Sequence, residues 1–300
     1  MGSQRKTLFT ALAVTLFFVF LWAVFAASFN MFFPSGGGIK ESLSLSDGKV
    51  AIVRLHGVIM DGTQFMRQLD KWAEDDSVKA IVISISSPGG VVGPSQEIYS
   101  AVRKAAAKKP VVASMGAVAA SGGYYVAAAC NKIVANPGTI TGSIGVIMMF
   151  STSFDLMDKI GLKAVVVKSG KFKDTGSPAR PFTEEDRALM QGVVDDTYDQ
   201  FINDVAQGRG LSVDEVRKVA DGRILTGRQA FKAKLVDKLG GFEDAVELAA
   251  LLGGISGKPN RVEEEKKKSL METILGDENE VSLPFRLKMP AGLYYMWPAW

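Results

Sequence analysis

Val111–Ala129 reads VVASMGAVAASGGYYVAAA, and this run decides the class of fold. Its first five residues, Val111–Met115, open on two β-branched valines and read as a buried strand. Gly116 and a stretch of small residues follow, and Ser121–Ala129 reads as a helix. A strand passing directly into a helix is the building unit of an α/β protein. Upstream, Val50–Leu55 and Ala80–Ile85 are short apolar strands. The helical segments Gln64–Ala73, with Phe65, Leu69 and Trp72 at helical spacing, and Pro94–Ala107 alternate with them. Downstream, Lys132–Ala135 and Lys163–Val167 continue as strands, with a helix at Phe154–Ile160 between them. Such alternation predicts parallel pairing with right-handed crossovers.

From Thr183 the texture becomes helical. Thr183-Glu184-Glu185-Asp186 carries a capping-box pattern, with Asp186 in place of the usual Glu. Leu189, Val193, Val194, Tyr198, Phe201, Ile202 and Val205 then recur at helical spacing, and Gly208 and Gly210 close the helix. Its apolar face is expected to join the core. Three shorter helices are expected at Val213–Ala220, Arg228–Lys234 and Phe242–Leu252. A tail with a charged block, Glu263–Lys268, ends in the apolar stretch Leu293–Trp300. No internal repeat is evident.

Composition narrows the function classes. The 300 residues carry a net charge of +3 without a dense basic block, which argues against nucleic-acid binding. Cys130 is the only cysteine, so neither an intramolecular disulfide nor a cysteine zinc site is available. His56, the only histidine, sits in the first strand region and is expected to be a half-buried strand residue. Thr7–Ile39 holds no charge, and Leu8–Phe33 is almost continuously apolar. About 20 helical residues cross a bilayer core, so this segment is long enough to span. A cleaved signal peptide, with small residues at Ala23, Ala26 and Ala27, is the rival; its apolar core is usually only about 7–15 residues. Arg5 and Lys6 favour a cytoplasmic N-terminus and a body on the far side. Pro34-Ser35-Gly36-Gly37-Gly38 then reads as a flexible tether.

Two stretches could carry chemistry. Ser86-Ser87-Pro88-Gly89-Gly90 follows the Ala80–Ile85 strand, where glycines let backbone N–H groups turn into a crevice. It reads either as an oxyanion hole or as an ordinary tight turn. Ala120-Ser121-Gly122-Gly123 sets a serine at a strand-to-helix turn among small residues. It suits a nucleophile or a helix N-cap.

Taken together, Ser87-Pro88-Gly89-Gly90 and Ala120-Ser121-Gly122-Gly123 resemble the paired motifs of crotonase-like peptidases, among them the Clp protease proteolytic subunit and signal peptide peptidase A. Thr141-Gly142-Ser143-Ile144-Gly145-Val146, Arg223-Ile224-Leu225-Thr226-Gly227 and Leu235–Gly240 are similar to signal peptide peptidase A in particular. The match runs from Val50 to Gly254 and looks like the short form of that family. A Clp-type site needs a histidine downstream of the serine, and none follows His56. The resemblance therefore implies a serine endopeptidase with a Ser-Lys dyad: Ser121 as nucleophile and Lys173, directly before Asp174, as general base. Lys168 and Lys171 are the alternatives in the same loop. It also implies Ser143 as the residue orienting the lysine, and Gly89 and Gly122 as oxyanion-hole donors. A neutral lysine requires a lowered pKa, which burial supplies.

The implied fold is a crotonase/Clp-protease-like spiral of repeated β-β-α and βαβ units with a helical C-terminal part, preceded by one transmembrane helix. The expected division is a cytoplasmic N-terminus at 1–6, an anchor at 7–33, a linker at 34–48, a peptidase domain at 49–254 and a tail at 255–300. This places a single-pass protein in the cell (inner) membrane with its catalytic domain outside the cytoplasm. Implied substrates are signal peptides left in the membrane and other apolar, unfolded segments, with no metal or nucleotide cofactor. Short members form homo-oligomeric rings whose sites are shared between protomers. The segment Leu293–Trp297 could dock in a substrate groove, on an adjacent subunit or on the membrane surface. The rival functions are an inactive membrane-anchored scaffold, a crotonase-type acyl-CoA enzyme and a secreted soluble protease.

Overall fold

Alternation along short strands builds the centre of the molecule. In a computed structural model that describes residues 48–264 and 294–296, β1 (Lys49–His56) sends Ala51, Val53 and Leu55 into one buried layer and Val50 and Ile52 into another. The expected anchor at 7–33 lies outside the described residues, as does the linker except for Gly48. Among the described residues no helix is long and apolar enough to cross a membrane.

After β1 come α1 (Thr63–Glu74), β2 (Val78–Ser87), β3 (Gly89–Val91), α2 (Val92–Lys108), β4 (Val111–Ala120), α3 (Gly122–Ala128), β5 (Lys132–Ala135) and β6 (Ile140–Gly142). The second half holds α4 (Phe154–Lys159), α5 (Glu184–Arg209), α6 (Val213–Arg217), β7 (Ile224–Thr226), α7 (Gly227–Lys232), β8 (Lys238–Leu239), α8 (Phe242–Leu252) and β9 (Asn260–Glu263). A last strand, β10, spans Tyr294–Met296. The main sheet runs β7-β6-β4-β2-β1-β9, with β5 beside β4 and β8 beside β5. All of these pairs are parallel except β6 with β7.

Strands apolar on both faces require cover on both. Ile81, Ile83 and Ile85 of β2 pack with α1, α2, α3 and the second half of α5; Ala80 and Val82 face Ala245, Val246 and Ala249 of α8. Each such Ile or Val contributes about 1.5–3 kcal/mol by leaving water. Tyr125 of α3 packs edge-on against Phe201 of α5, ring centroids 4.9 Å apart. Its hydroxyl donates to the Asp204 carboxylate, and Tyr99 donates to the Asp204 carbonyl at 3.0 Å.

Three expectations need correction. Lys163–Val167 is not a strand: it pairs with nothing among the described residues, and Val165 and Val167 are 90% and 97% exposed. Consecutive valines favour a strand only where a neighbouring strand and a packed face exist. His56 is exposed at the end of β1 rather than half-buried. In α5 the capping box forms as read, with Thr183 Oγ1 accepting from the Asp186 N–H and Asp186 accepting from the Thr183 N–H. Only the second half of that helix joins the core, however, since Leu189 and Val193 stay exposed.

Candidate active site

The carboxyl ends of β2, β4 and β6 lie side by side. Ser87 pairs with Ala119, and Ala120 pairs with Gly142. The residues that follow these ends are Gly89, Ser121 and Ser143, so one sheet register gathers three of the expected site positions. Crevices at the carboxyl ends of parallel strands are where α/β folds bind ligands.

Ser121 precedes α3 with φ 52° and ψ −117°, and its side chain makes no capping hydrogen bond. The helix-cap alternative for this serine is therefore set aside. It is buried; its N–H donates to the Gly142 carbonyl at 2.8 Å, and its carbonyl accepts from the Tyr125 N–H at 2.8 Å. Ser143 has φ 50° and donates its N–H to the Arg223 carbonyl at 2.8 Å. Among the described non-glycine residues only Lys234 also has a positive φ. Holding a side chain in such a region costs of order 1–3 kcal/mol, and such strain concentrates at functional sites.

Gly89 turns with φ +104°, a conformation suited to glycine, and donates its N–H to Ser87 Oγ at 3.1 Å. Gly122 is the first residue of α3, where N–H groups have no partner within the helix. A Cβ at Gly123 would lie 2.8 Å from the Ser87 carbonyl, so the Gly89 turn and the start of α3 are in direct contact. Gly89, Ser121, Gly122 and Ser143 are thus assembled by the fold.

Lys173 is not joined to them within one copy of the chain. Its side chain is exposed, and no hydrogen bond or ion pair links it to Ser121 or Ser143 among the described residues. The two neighbouring lysines are occupied. Lys168 pairs with Asp174 at 2.6 Å and donates to the Lys171 carbonyl at 2.9 Å; Lys171 pairs with Glu185 at 2.6 Å. Beside Ser143 opens a cavity of about 510 Å³, lined in part by Val146, Val194, Asp195, Tyr198 and Asp221. The Arg223 guanidinium beside Asp221 holds that carboxyl down at about 2.

The remaining motifs act as framework. Arg223–Gly227 forms β7 and the start of α7, bracing the Ser143 turn. Within Leu235–Gly240, Asp237 accepts from the Ile133 N–H at 2.8 Å and from Arg209 at 2.6 Å, while Tyr124 donates to the Leu235 carbonyl at 3.0 Å. Sequence reading did not single out Arg180, and it marked Asp186 only as a helix cap; together the two bind the lysine-bearing loop to α5. The Asp at the capping-box position was the one trace of them.

Comparison with known proteins agrees with this architecture. The Clp protease family model matches residues 49–139, and the model of peptidase family S49 matches residues 103–256. A protein of Synechocystis sp. that carries a protease designation is 42% identical over 238 residues, covering 78% of this chain and 85% of its own. An Enterococcus faecium protein designated a signal peptide peptidase, SppA, is 37% identical over 236 residues, covering 73% of this chain and 68% of its own. The chloroplastic serine protease SPPA of Arabidopsis thaliana is 35% identical over 229 residues, 71% of this chain but 34% of that longer protein. With its parallel-rich α/β core and these matches, the chain belongs to peptidase family S49.

Proposed function

We propose that this peptidase is a membrane-bound serine endopeptidase in which Ser121 attacks the scissile carbonyl and Lys173 is its general base. The observation that carries the reading is the buried Ser121, held at positive φ at the β4–α3 junction, in register with the Gly89 and Ser143 turns. Neutral Lys173 takes the proton from Ser121 Oγ as the ester bond forms. The resulting ammonium protonates the leaving amine, and water then resolves the acyl-enzyme. The N–H groups of Gly89 and Gly122 receive the developing oxyanion, with the substrate oxygen replacing Ser87 Oγ as acceptor for Gly89. One such donor is worth about 10²–10³ in kcat.

Peptide binding has a direct precedent in the chain itself. β10 pairs antiparallel with β3, setting Met296 opposite Gly89 and Tyr294 opposite Val91. The edge beside Gly89 therefore accepts an extended backbone, the mode by which peptides add to sheet edges. The apolar, unfolded segments that suit such an edge include signal peptides, and the Enterococcus faecium relative's designation points the same way. The Leu8–Phe33 segment would hold the enzyme at the membrane where these accumulate, with the domain outside the cytoplasm.

The Lys173 side chain is exposed and has no ion-pair partner among the described residues, which is consistent with a second copy supplying it, as in the short members that the chain resembles. The cavity beside Ser143, lined by Asp195 as well as by the Arg223-paired Asp221, could receive a cationic side chain, and the bare Lys163–Val167 segment suits a neighbouring chain. These features support, as this reading's assembly, a homo-oligomeric ring with shared sites. Ser143 would orient the incoming amine. Peptide hydrolysis by the wild type is to be compared with Ser121→Ala, Lys168→Ala, Lys171→Ala and Lys173→Ala. Loss in Ser121→Ala and Lys173→Ala alone is expected. Turnover lost in Lys171→Ala but kept in Lys173→Ala would reassign the base.

A further inference from the structure

From Gly145 to Glu185 no residue is buried, so the long excursion that carries Lys173 has no apolar core of its own. Besides the Phe150–Phe182 ring stack and the Ser153 N–H bond to the Pro178 carbonyl, its polar contacts converge on Asp186, which is 2% exposed. Asp186 Oδ1 accepts from Arg180 Nη2 at 2.9 Å and from Thr175 Oγ1 at 2.7 Å. Its Oδ2 accepts from Arg180 Nη1 at 2.5 Å, from the Thr183 N–H at 3.0 Å and from Thr183 Oγ1 at 2.8 Å. Arg180 Nη2 reaches on to Asp174 Oδ1 at 3.1 Å, and the same oxygen holds Lys168. Asp174 adjoins Lys173 in the chain.

We infer that Asp186 and Arg180 are positioning residues for Lys173: a charge-assisted clasp on the first turn of α5 that sets where the base's amine lies. The inference rests on the reading of Lys173 as general base. A base must come within about 2.6–3.2 Å of the hydroxyl it deprotonates. A misplacement of about 1 Å costs roughly 100-fold. Salt links between a buried carboxylate and a guanidinium are directional and two-pronged, so they fix position as well as supply attraction. Thr175 and Asp174 are the points where the clasp grips the chain on the C-terminal side of Lys173. Lys168, bound to Asp174, grips it on the other side. Of Lys168, Lys171 and Lys173, the three lysines nearest the clasp, only Lys173 has no carboxylate partner among the described residues.

The test uses the full-length assembled enzyme and the variants Arg180→Ala, Arg180→Lys and Asp186→Asn, with Lys173→Ala alongside. Four quantities are read: kcat, KM, the rate of Ser121 labelling by a fluorophosphonate, and recovery of activity in guanidinium at tens of millimolar. Arg180→Ala and Asp186→Asn are expected to lose about 10–100-fold in kcat and in labelling rate together, with KM within about threefold. Guanidinium should recover at least tenfold in Arg180→Ala and nothing in Lys173→Ala. Arg180→Lys, lacking the two-pronged head, should stay impaired. Wild-type kcat in either Asp186→Asn or Arg180→Ala overturns the inference. So does a loss that tracks loss of assembly and is not relieved by guanidinium. If Lys173→Ala itself keeps full turnover, it is the dyad reading that has failed.

Discussion

Replacing Gly123 by alanine tests how tightly the candidate nucleophile is held. The added methyl would lie 2.8 Å from the Ser87 carbonyl oxygen, where ordinary contact begins at 3.4 Å. Either the Gly89 turn or the first turn of α3 must therefore move by about 0.6 Å. Forcing a methyl into such a close-packed place costs about 1–3 kcal/mol. The helical preference of alanine over glycine returns at most about 1 kcal/mol. For a domain of this size about 1 kcal/mol shifts the melting point by roughly 2–4 °C. A fall of several degrees is therefore expected. The catalytic effect should be larger in proportion, because Ser121 lies two residues away and sub-ångström alignment governs attack; about tenfold or more in kcat is expected. Gly93→Ala in α2 is the control. Nothing lies within 4 Å of its Cβ position, so it should melt about 1–4 °C higher with unchanged kcat. Thermal denaturation and steady-state peptide hydrolysis measure both. A Gly123→Ala enzyme with wild-type melting and wild-type kcat would refute the claim that turn and helix are locked together.

Other outcomes follow from the same packing. Phe201→Ala, which empties a fully buried site against Tyr125, should cost about 3–5 kcal/mol in chemical denaturation. Truncation after Pro290 removes β10 and should lower KM for short peptides by freeing the β3 edge; an unchanged KM would show that the tail does not compete for it. Burial pushes the Cys130 thiol up to about 12, so it stays protonated at pH 8 and should resist maleimide until the protein is unfolded. The clasp is acid-sensitive. Hydrogen bonds and the Arg180 guanidinium hold Asp186 and Asp174 below the ordinary carboxylate range. Their contribution is complete above the unfolded value, about 3.9, and is lost as pH falls through the folded values. Amide protection over residues 174–186, taken relative to the intrinsic exchange rate at each pH, should fall on acidification below about pH 4 before that of the sheet does.

The fold was legible where apolar periodicity runs for several residues. β1, β2, β4 and β5 stand out because both of their faces are buried, and the α5 cap stands out because Thr183 and Asp186 are three apart. β3, β6 and β7 have three residues each, too few for any period to register, yet β3 and β6 frame the site. Lys163–Val167 misleads for the opposite reason: its composition favours a strand, but pairing partners decide whether a strand forms. The serine and glycine positions could be picked out by motif. Their backbone strain could not, because φ of Ser121 and Ser143 is imposed by Gly142 and Arg223 from other elements. The Arg180–Asp186 clasp was hidden because its members are ordinary charged residues until the loop closes on itself.

The reactive atom itself can be identified by peptide-mapping mass spectrometry after stoichiometric fluorophosphonate treatment of the full-length protein. One phosphonyl adduct on Ser121 is expected, formed at a greatly reduced rate in Lys173→Ala. An adduct on a different serine, or an active enzyme that takes up none, would contradict the assignment.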